Sequence, residues 1–254
     1  MAQMPLPPEL ERARGVIEST LRPCLLLATD PAGPRQPWSS RIGGAPYLRP
    51  REPWPGDEQG AYVFLAQLNY TELPALEGHP RHGLLRFFIG ADPDYGLTPG
   101  QPPRFRVDYL PEVETAGLET CPPAAAGPSP LEQPGTGHPL VATRAVLPIT
   151  YEDHRFSDLV GRAAIGPEAV EVYHEVAHLS RDSPFHQLGG YPYFAQSDWR
   201  AGHPASADYQ LLAQIDSQAG VVSWGEMGVA GFWIRPEHLA ACDFSHVIYY
   251  WDCT

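Results

Sequence analysis

"IGGAPYL", residues 42–48, returns as "LGGYPYF" at 188–194, and this pair decides how the chain is read. Two more stretches recur in the same order: "FLAQLN" (64–69) with "LLAQID" (211–216), and "GLLRFFI" (83–89) with "GVAGFWI" (228–234). The displacement is nearly constant, for Gly43 to Gly189, Gln67 to Gln214 and Ile89 to Ile234 are 145 to 147 residues apart. "RVDY" (106–109) and "HVIY" (246–249) follow at a slightly shorter spacing. Matches in one order at one spacing indicate duplication, not shared composition. The expectation is a single domain over 1–254, with repeats at about 22–115 and 166–254 packed about an approximate two-fold axis.

Each repeat supplies a glycine turn, a strand, a connection and a second strand. The paired glycines permit positive φ or a close approach of backbone, and the Pro-Tyr after them starts an extended run. With 30 prolines and 24 glycines there is little room for long helices, so the expected class is α+β, mostly β, with a few short helices. Aromatic and aliphatic runs mark strands at 61–70, 83–90, 104–110, 141–150, 209–216, 229–234 and 246–252. Helical spacing is confined to 8–21, 166–181 and 235–242. Between 117 and 139 six prolines and little periodicity read as a connector between the halves.

Gln67 and Gln214 fall inside otherwise apolar strands. A buried amide needs partners, so each is expected to tie its strand to a neighbouring loop or to its counterpart across the axis. The functional alternative is a ligand cleft between the halves, lined by Gln67 and Gln214 with Asn69 and Asp216 beside them.

On "RIGGAPYL", "FLAQLNYTELP", "DPDYGL", "FRVDYLPE", "HQLGGYPYFAQSDWR", "WGEMGVAGFWI" and "DFSHVIYYWDC" together, the chain resembles the YwqG-like bacterial proteins. The resemblance spans most of the chain, leaving out the first 20 residues and the connector. It implies a mixed α and β fold and brings no agreed catalytic residues. One departure is local: where those proteins tend to read Gln-x-Asp-Pro-Arg, this chain has "QSDWR", with Trp199 in the proline position.

The 254 residues carry a formal charge of −13, and all seventeen basic residues are arginine. Thirty acids against seventeen bases argue against nucleic-acid binding, because phosphate neutralisation needs clustered cations. The absence of lysine removes Schiff-base chemistry and the Gly-Lys-Ser/Thr phosphate loop. Four cysteines without a C-x-x-C pair do not make a disulfide scaffold. No basic leader with an apolar core opens the sequence and no run reaches membrane-spanning length, so a cytoplasmic protein is expected.

"EVYHEVAHLS" (171–180) contains H-E-x-x-H, the zinc-protease pattern of two imidazoles on one helical face with a glutamate between them. The expected helix, however, turns Ala169, Val172, Tyr173, Val176, Leu179 and Ser180 to the core. At roughly 100° per residue from Ala169, His174 and His178 fall roughly 140° and 180° away, on the solvated side. A catalytic zinc needs a third ligand and a walled site, and the extended pattern would require glycine at Arg181 and histidine at Pro184. The expectation is therefore no metal, no cofactor and no catalytic residue, with a zinc hydrolase built on His174, Glu175 and His178 as the rival.

Among YwqG-like proteins some are similar to immunity proteins encoded beside secreted toxins, and the charge suits that role. An acidic protein can steer onto a basic nuclease toxin. The expected function is neutralisation of such a cationic partner. Asp57, Glu58, Glu152, Asp153, Asp208 and Glu226 are the expected rim acids, and Trp54, Trp199 and Trp224 the aromatic anchors.

Overall fold

A computed structural model describes residues 6–115, 127–161, 165–179 and 184–254. It consists of one 11-stranded sheet in which every pairing is antiparallel. At its centre β1 (Arg22–Thr29) pairs with β7 (His138–Leu147) over eight residue pairs, from Arg22 opposite Leu147 to Thr29 opposite Leu140. On the β7 side lie β2 (Arg41–Ile42), β4 (Gly60–Asn69), β5 (Leu84–Gly90) and β6 (Phe105–Leu110), with β3 (Gly56–Asp57) paired to β4 off the main path. On the β1 side lie β8 (Gln187–Gly189), β9 (Gln210–Asp216), β10 (Val229–Ile234) and β11 (Ile248–Asp252).

The central pair crosses the chain order. β1 precedes the first arm in sequence yet borders β8 of the second, and β7 precedes the second arm yet borders β2 of the first. Each arm therefore hydrogen-bonds to the strand that leads into the other, and neither keeps its inner edge covered if the other detaches. The strand in β1's position is β7, which lies outside the 166–254 span read from the sequence.

The sheet curls until its outer strands approach one another. Phe105 of β6 and Tyr249 of β11 pack with ring centroids 5.5 Å apart. The Tyr249 hydroxyl donates to Tyr95 O (3.0 Å) and Trp251 Nε1 donates to Asp94 O (2.9 Å), so the loop after β5 bridges the gap of this nearly closed barrel. Inside it, the main core draws Leu65, Leu85, Phe87 and Ile89 from one arm and Leu212, Ala230, Phe232 and Tyr249 from the other. Phe87 and Phe232 meet across the interior at 4.6 Å. Burial at about 1.5–3 kcal/mol for each such side chain supplies the main stabilisation.

β5 and β10 are buried along their whole length, which explains their unbroken apolar runs: the inner face fills the barrel and loops cover the outer one. A second core sits under the helices. A 3-10 turn (Pro8–Ala13) runs into α1 (Arg14–Ser19), where the sequence suggested one helix over 8–21. Their Leu10 and Ile17 pack with Ile149, with Phe156 of α2 (Phe156–Leu159), with Ala169 and Tyr173 of α3 (Pro167–Leu179), and with Tyr191. Next to β10, α4 (Pro236–Ala240) is shorter than the expected 235–242. Among the described residues no helix is long and apolar enough to cross a membrane.

Candidate functional site

The H-E-x-x-H stretch lies on α3. Ala169 and Tyr173 are buried and Val172 packs beside them, as the helical spacing requires, and the Tyr173 hydroxyl donates to Ile149 O at 2.6 Å. The opposite side bears Glu168, Glu171 and Glu175, all exposed, and the helix contains no arginine. His174 is half-exposed: its Nε2 lies 3.3 Å from Glu152 Oε1 and its ring meets the edge of Tyr151 at 5.4 Å. The side chains of Val176, Leu179 and His178, and all of Ser180 and Arg181, lie outside the described residues. Tyr151, which is exposed, meets His174 of this helix, and Phe156 of α2 packs on Tyr173.

Beneath α3 a buried ion cluster joins two loops. Arg200 donates to Asp198 through Nε (2.9 Å) and Nη2 (2.6 Å), to Asp153 Oδ2 (3.0 Å) and to Tyr209 O (2.7 Å). Arg155 grips the same Asp153 at 2.8 and 2.7 Å. Burial pushes the Asp153 carboxyl up, but the Arg155 hydrogen bonds and the charges of Arg200 and Arg155 outweigh it and hold the group at about 2. Asp153, His154 and Asp198 lie close enough to share a metal ion, yet two guanidiniums already neutralise the two carboxylates. A second such group, His238, Asp243 and His246, lies at the surface after α4, and neither group includes His174.

The two glutamines tie strand to loop within their own arms. Gln67 accepts from Tyr47 N (2.8 Å) and donates to Pro37 O and Ser39 O (2.8 and 2.9 Å). Gln214 accepts from Tyr193 N and donates to Phe185 O, both at 2.9 Å. Asn69 N–H donates to Ser40 Oγ, and Asp216 N–H to His186 Nδ1, each at 2.9 Å. All four side chains at 67, 69, 214 and 216 are buried, and these bonds engage both ends of each glutamine amide. Gly43, Gly44, Gly189 and Gly190 all adopt positive φ, as the paired turns required.

The expected rim residues separate into two groups. Asp57, Glu58, Asp208 and Glu226 are exposed. Glu152 is mostly covered beside His174, and Asp57 is held by Arg104 through two 2.8 Å bonds. Asp153 is buried in the ion cluster, and Trp224 is fully buried against Tyr95 and Trp251, so neither can meet a partner. Trp54 donates to Tyr62 O and packs on Tyr62, Phe64 and Phe88, while Trp199 meets Trp233 and Tyr209. Both tryptophans are half-buried, as covers of their arms.

The sequence reading passed over Arg86 and Arg200, the two fully buried arginines among the described residues. The available signal was an arginine inside the apolar run "GLLRFFIG" and an acid–arginine pair in "SDWR". No curated protein matches the chain. The family profile described as a domain of unknown function, DUF1963, matches residues 40–253, from just before β2 to the end of β11. The chain therefore belongs to the DUF1963 family.

Proposed function

We propose that this protein is a noncatalytic binding protein that engages a cationic protein, in the manner of an immunity protein acting on a basic toxin in the cytoplasm. The observation that carries the reading is the outward side of α3. Glu168, Glu171 and Glu175, at i, i+3 and i+7, form one exposed acidic line on a helix that holds no arginine, and Tyr151, in edge contact with His174 of the same helix, exposes apolar surface beside it. Acids steer a basic partner and apolar groups supply contact energy once it arrives. The overall charge of −13 and the YwqG-like resemblance support the same reading.

The test begins with capture from the source cell and identification of the retained basic protein. Its association rate with the intact chain is then measured at low and high salt. Reversal of Glu168, Glu171 and Glu175 to lysine should slow association by about tenfold or more at low salt, with little change in thermal midpoint. An association rate indifferent to both salt and the triple reversal would sink the proposal.

A further inference from the structure

The link from β10 to β11, "RPEHLAACDFSH" (235–246), holds two histidines and an aspartate that the fold brings together. Pro236 opens α4, and Leu239 of that helix is buried in the main core. Cys242 at φ +53° then turns the chain, and the Asp243 N–H donates to His238 O at 2.9 Å. Phe244 begins a 3-10 turn (Phe244–His246), and its buried ring lies 5.2 Å from that of Tyr109 on β6. Two buried anchors thus fix the backbone, Leu239 next to His238 and Phe244 next to Asp243, while the His246 side chain is exposed.

The donor atoms of the three side chains converge. One atom from each of His238, Asp243 and His246 lies within 4.8 Å of those of the other two. Asp243 Oδ2 is 3.9 Å from His238 Nδ1 and 3.5 Å from His246 Nε2, and the two imidazoles stack with ring centroids 4.0 Å apart. The other carboxylate oxygen, Oδ1, accepts from Ser245 N (3.2 Å) and Ser245 Oγ (2.6 Å). Those bonds hold the carboxylate in place and leave Oδ2 towards the imidazoles, as the outer hydrogen bonds of a ligating carboxylate do. Among the described residues, neither imidazole has a hydrogen-bonding or ion-pairing partner other than Asp243.

Bonds of about 2.0–2.2 Å set neighbouring donors about 3.3 Å apart around a tetrahedral ion, so the two nitrogens need approach Oδ2 by only about half an ångström. Imidazole nitrogen with carboxylate oxygen suits zinc, whereas calcium and magnesium take all-oxygen sets. We propose that His238, Asp243 and His246 bind a zinc ion and leave its fourth position to water. The ion clips α4 to the turn that enters β11, on the side where Phe244 meets β6 and the barrel closes. Its binding therefore stabilises the fold.

The experiment is equilibrium dialysis of the intact, untagged chain, stripped of metal by a chelator, against zinc and separately against calcium. Zinc should saturate at one ion per chain with a micromolar Kd, and calcium should not bind. His246→Ala, at an exposed position, and His238→Gln should each weaken zinc at least about tenfold, with the metal-free thermal midpoint little changed. In the unaltered chain, zinc at about 100 times its Kd should raise that midpoint by about 5 °C, and the rise should vanish in both variants. His174→Ala, which removes a histidine of the α3 pattern, should alter neither the affinity nor the rise. No zinc bound by about 1 mM would overturn the proposal. So would zinc that is lost on His174→Ala and retained on His246→Ala.

Discussion

In the first arm β4 sets Gln67 opposite Arg86 of β5; in the second, β9 sets Gln214 opposite Gly231 of β10. The two glutamines make the same kind of bonds to the same kind of loop, but what covers them differs. Arg86 is buried, and it donates to Tyr47 O (2.8 Å), Glu52 (2.6 Å) and Asp108 (3.1 Å). Gly231 has no side chain to offer, and the indole of Trp233 occupies the space, 2.3 Å from where its Cβ would sit. Trp233 in turn stacks on Phe194 at 5.8 Å and 6° and meets Trp199 edge-on at 5.6 Å. One hydrogen-bond frame thus carries an ionic cover in one arm and an aromatic cover in the other. The frame sets register; the cover sets which substitutions each arm tolerates.

The largest separation of the arms should come from breaking the covers. Arg86→Leu leaves the mostly covered Glu52 without its guanidinium, takes from Asp108 one of its two arginines, the other being Arg106, and frees the Tyr47 carbonyl, and should cost about 3–5 kcal/mol in urea unfolding. Gly231→Ala pushes a methyl into the indole of Trp233, which has apolar neighbours that can shift, and should cost about 1–3 kcal/mol. Adding Glu52→Gln and Asp108→Asn to Arg86→Leu should recover part of the loss, since the stranded charges and not the missing arginine dominate it. Equal costs for the two single variants would erase the distinction between the covers.

The frame itself gives the next contrast. Gln67→Ala leaves Tyr47 N and Pro37 O without their partner and Ser39 O with Arg41 Nε alone, whereas Gln214→Ala leaves Tyr193 N and Phe185 O. At about 1 kcal/mol or more for each abandoned buried group, and less for Ser39 O, the expected losses are about 2–3 and about 2 kcal/mol. Urea midpoints at constant slope measure both. A costlier Gln214→Ala would mean that the second loop has less access to water than its exposure indicates.

What could be read from the sequence follows from how local each signal is. The glycine turns, the two amides and the apolar runs of β4, β5, β9 and β10 are each set by their own few residues, and they stand where the text of the chain places them. The crossed central pair was not legible. "RPCLLLAT" (22–29) shows neither a strict two-residue nor a helical period, because its exposed end and buried middle depend on β8 and β7, strands more than a hundred residues away. The ion clusters were hidden for a related reason. An acid such as Asp153 reads as solvent-facing until Arg200, 47 residues on, is folded against it. Trp224 reads as a surface anchor until Tyr95 and Trp251 close around it.

The smallest expected contrast lies in acid response. In the first arm Asp57 is held below the usual carboxylate range by its hydrogen bonds to Arg104. In the second, burial raises Asp216, only partly opposed by the Phe185 and Ser217 amides. A lowered group stabilises the fold above its unfolded value and loses that contribution only as pH falls below about 4. A raised group works in the other direction: the folded state binds its proton more tightly, so stability rises as pH falls through the folded value and levels off below the unfolded one. Buried His79 and His186, both held at about 4 by burial, oppose this trend, since the unfolded chain takes up their protons first. The informative quantity is therefore the difference between the unaltered chain and Asp216→Asn, in which the amide stands in for the protonated acid. As pH falls from neutral towards the ordinary carboxylate range that difference should shrink, as the unaltered chain gains stability that the variant already has. The corresponding difference for Asp57→Asn should stay flat over the same range and change only below about pH 4, and a flat Asp216→Asn difference would place that carboxyl among the ordinary ones.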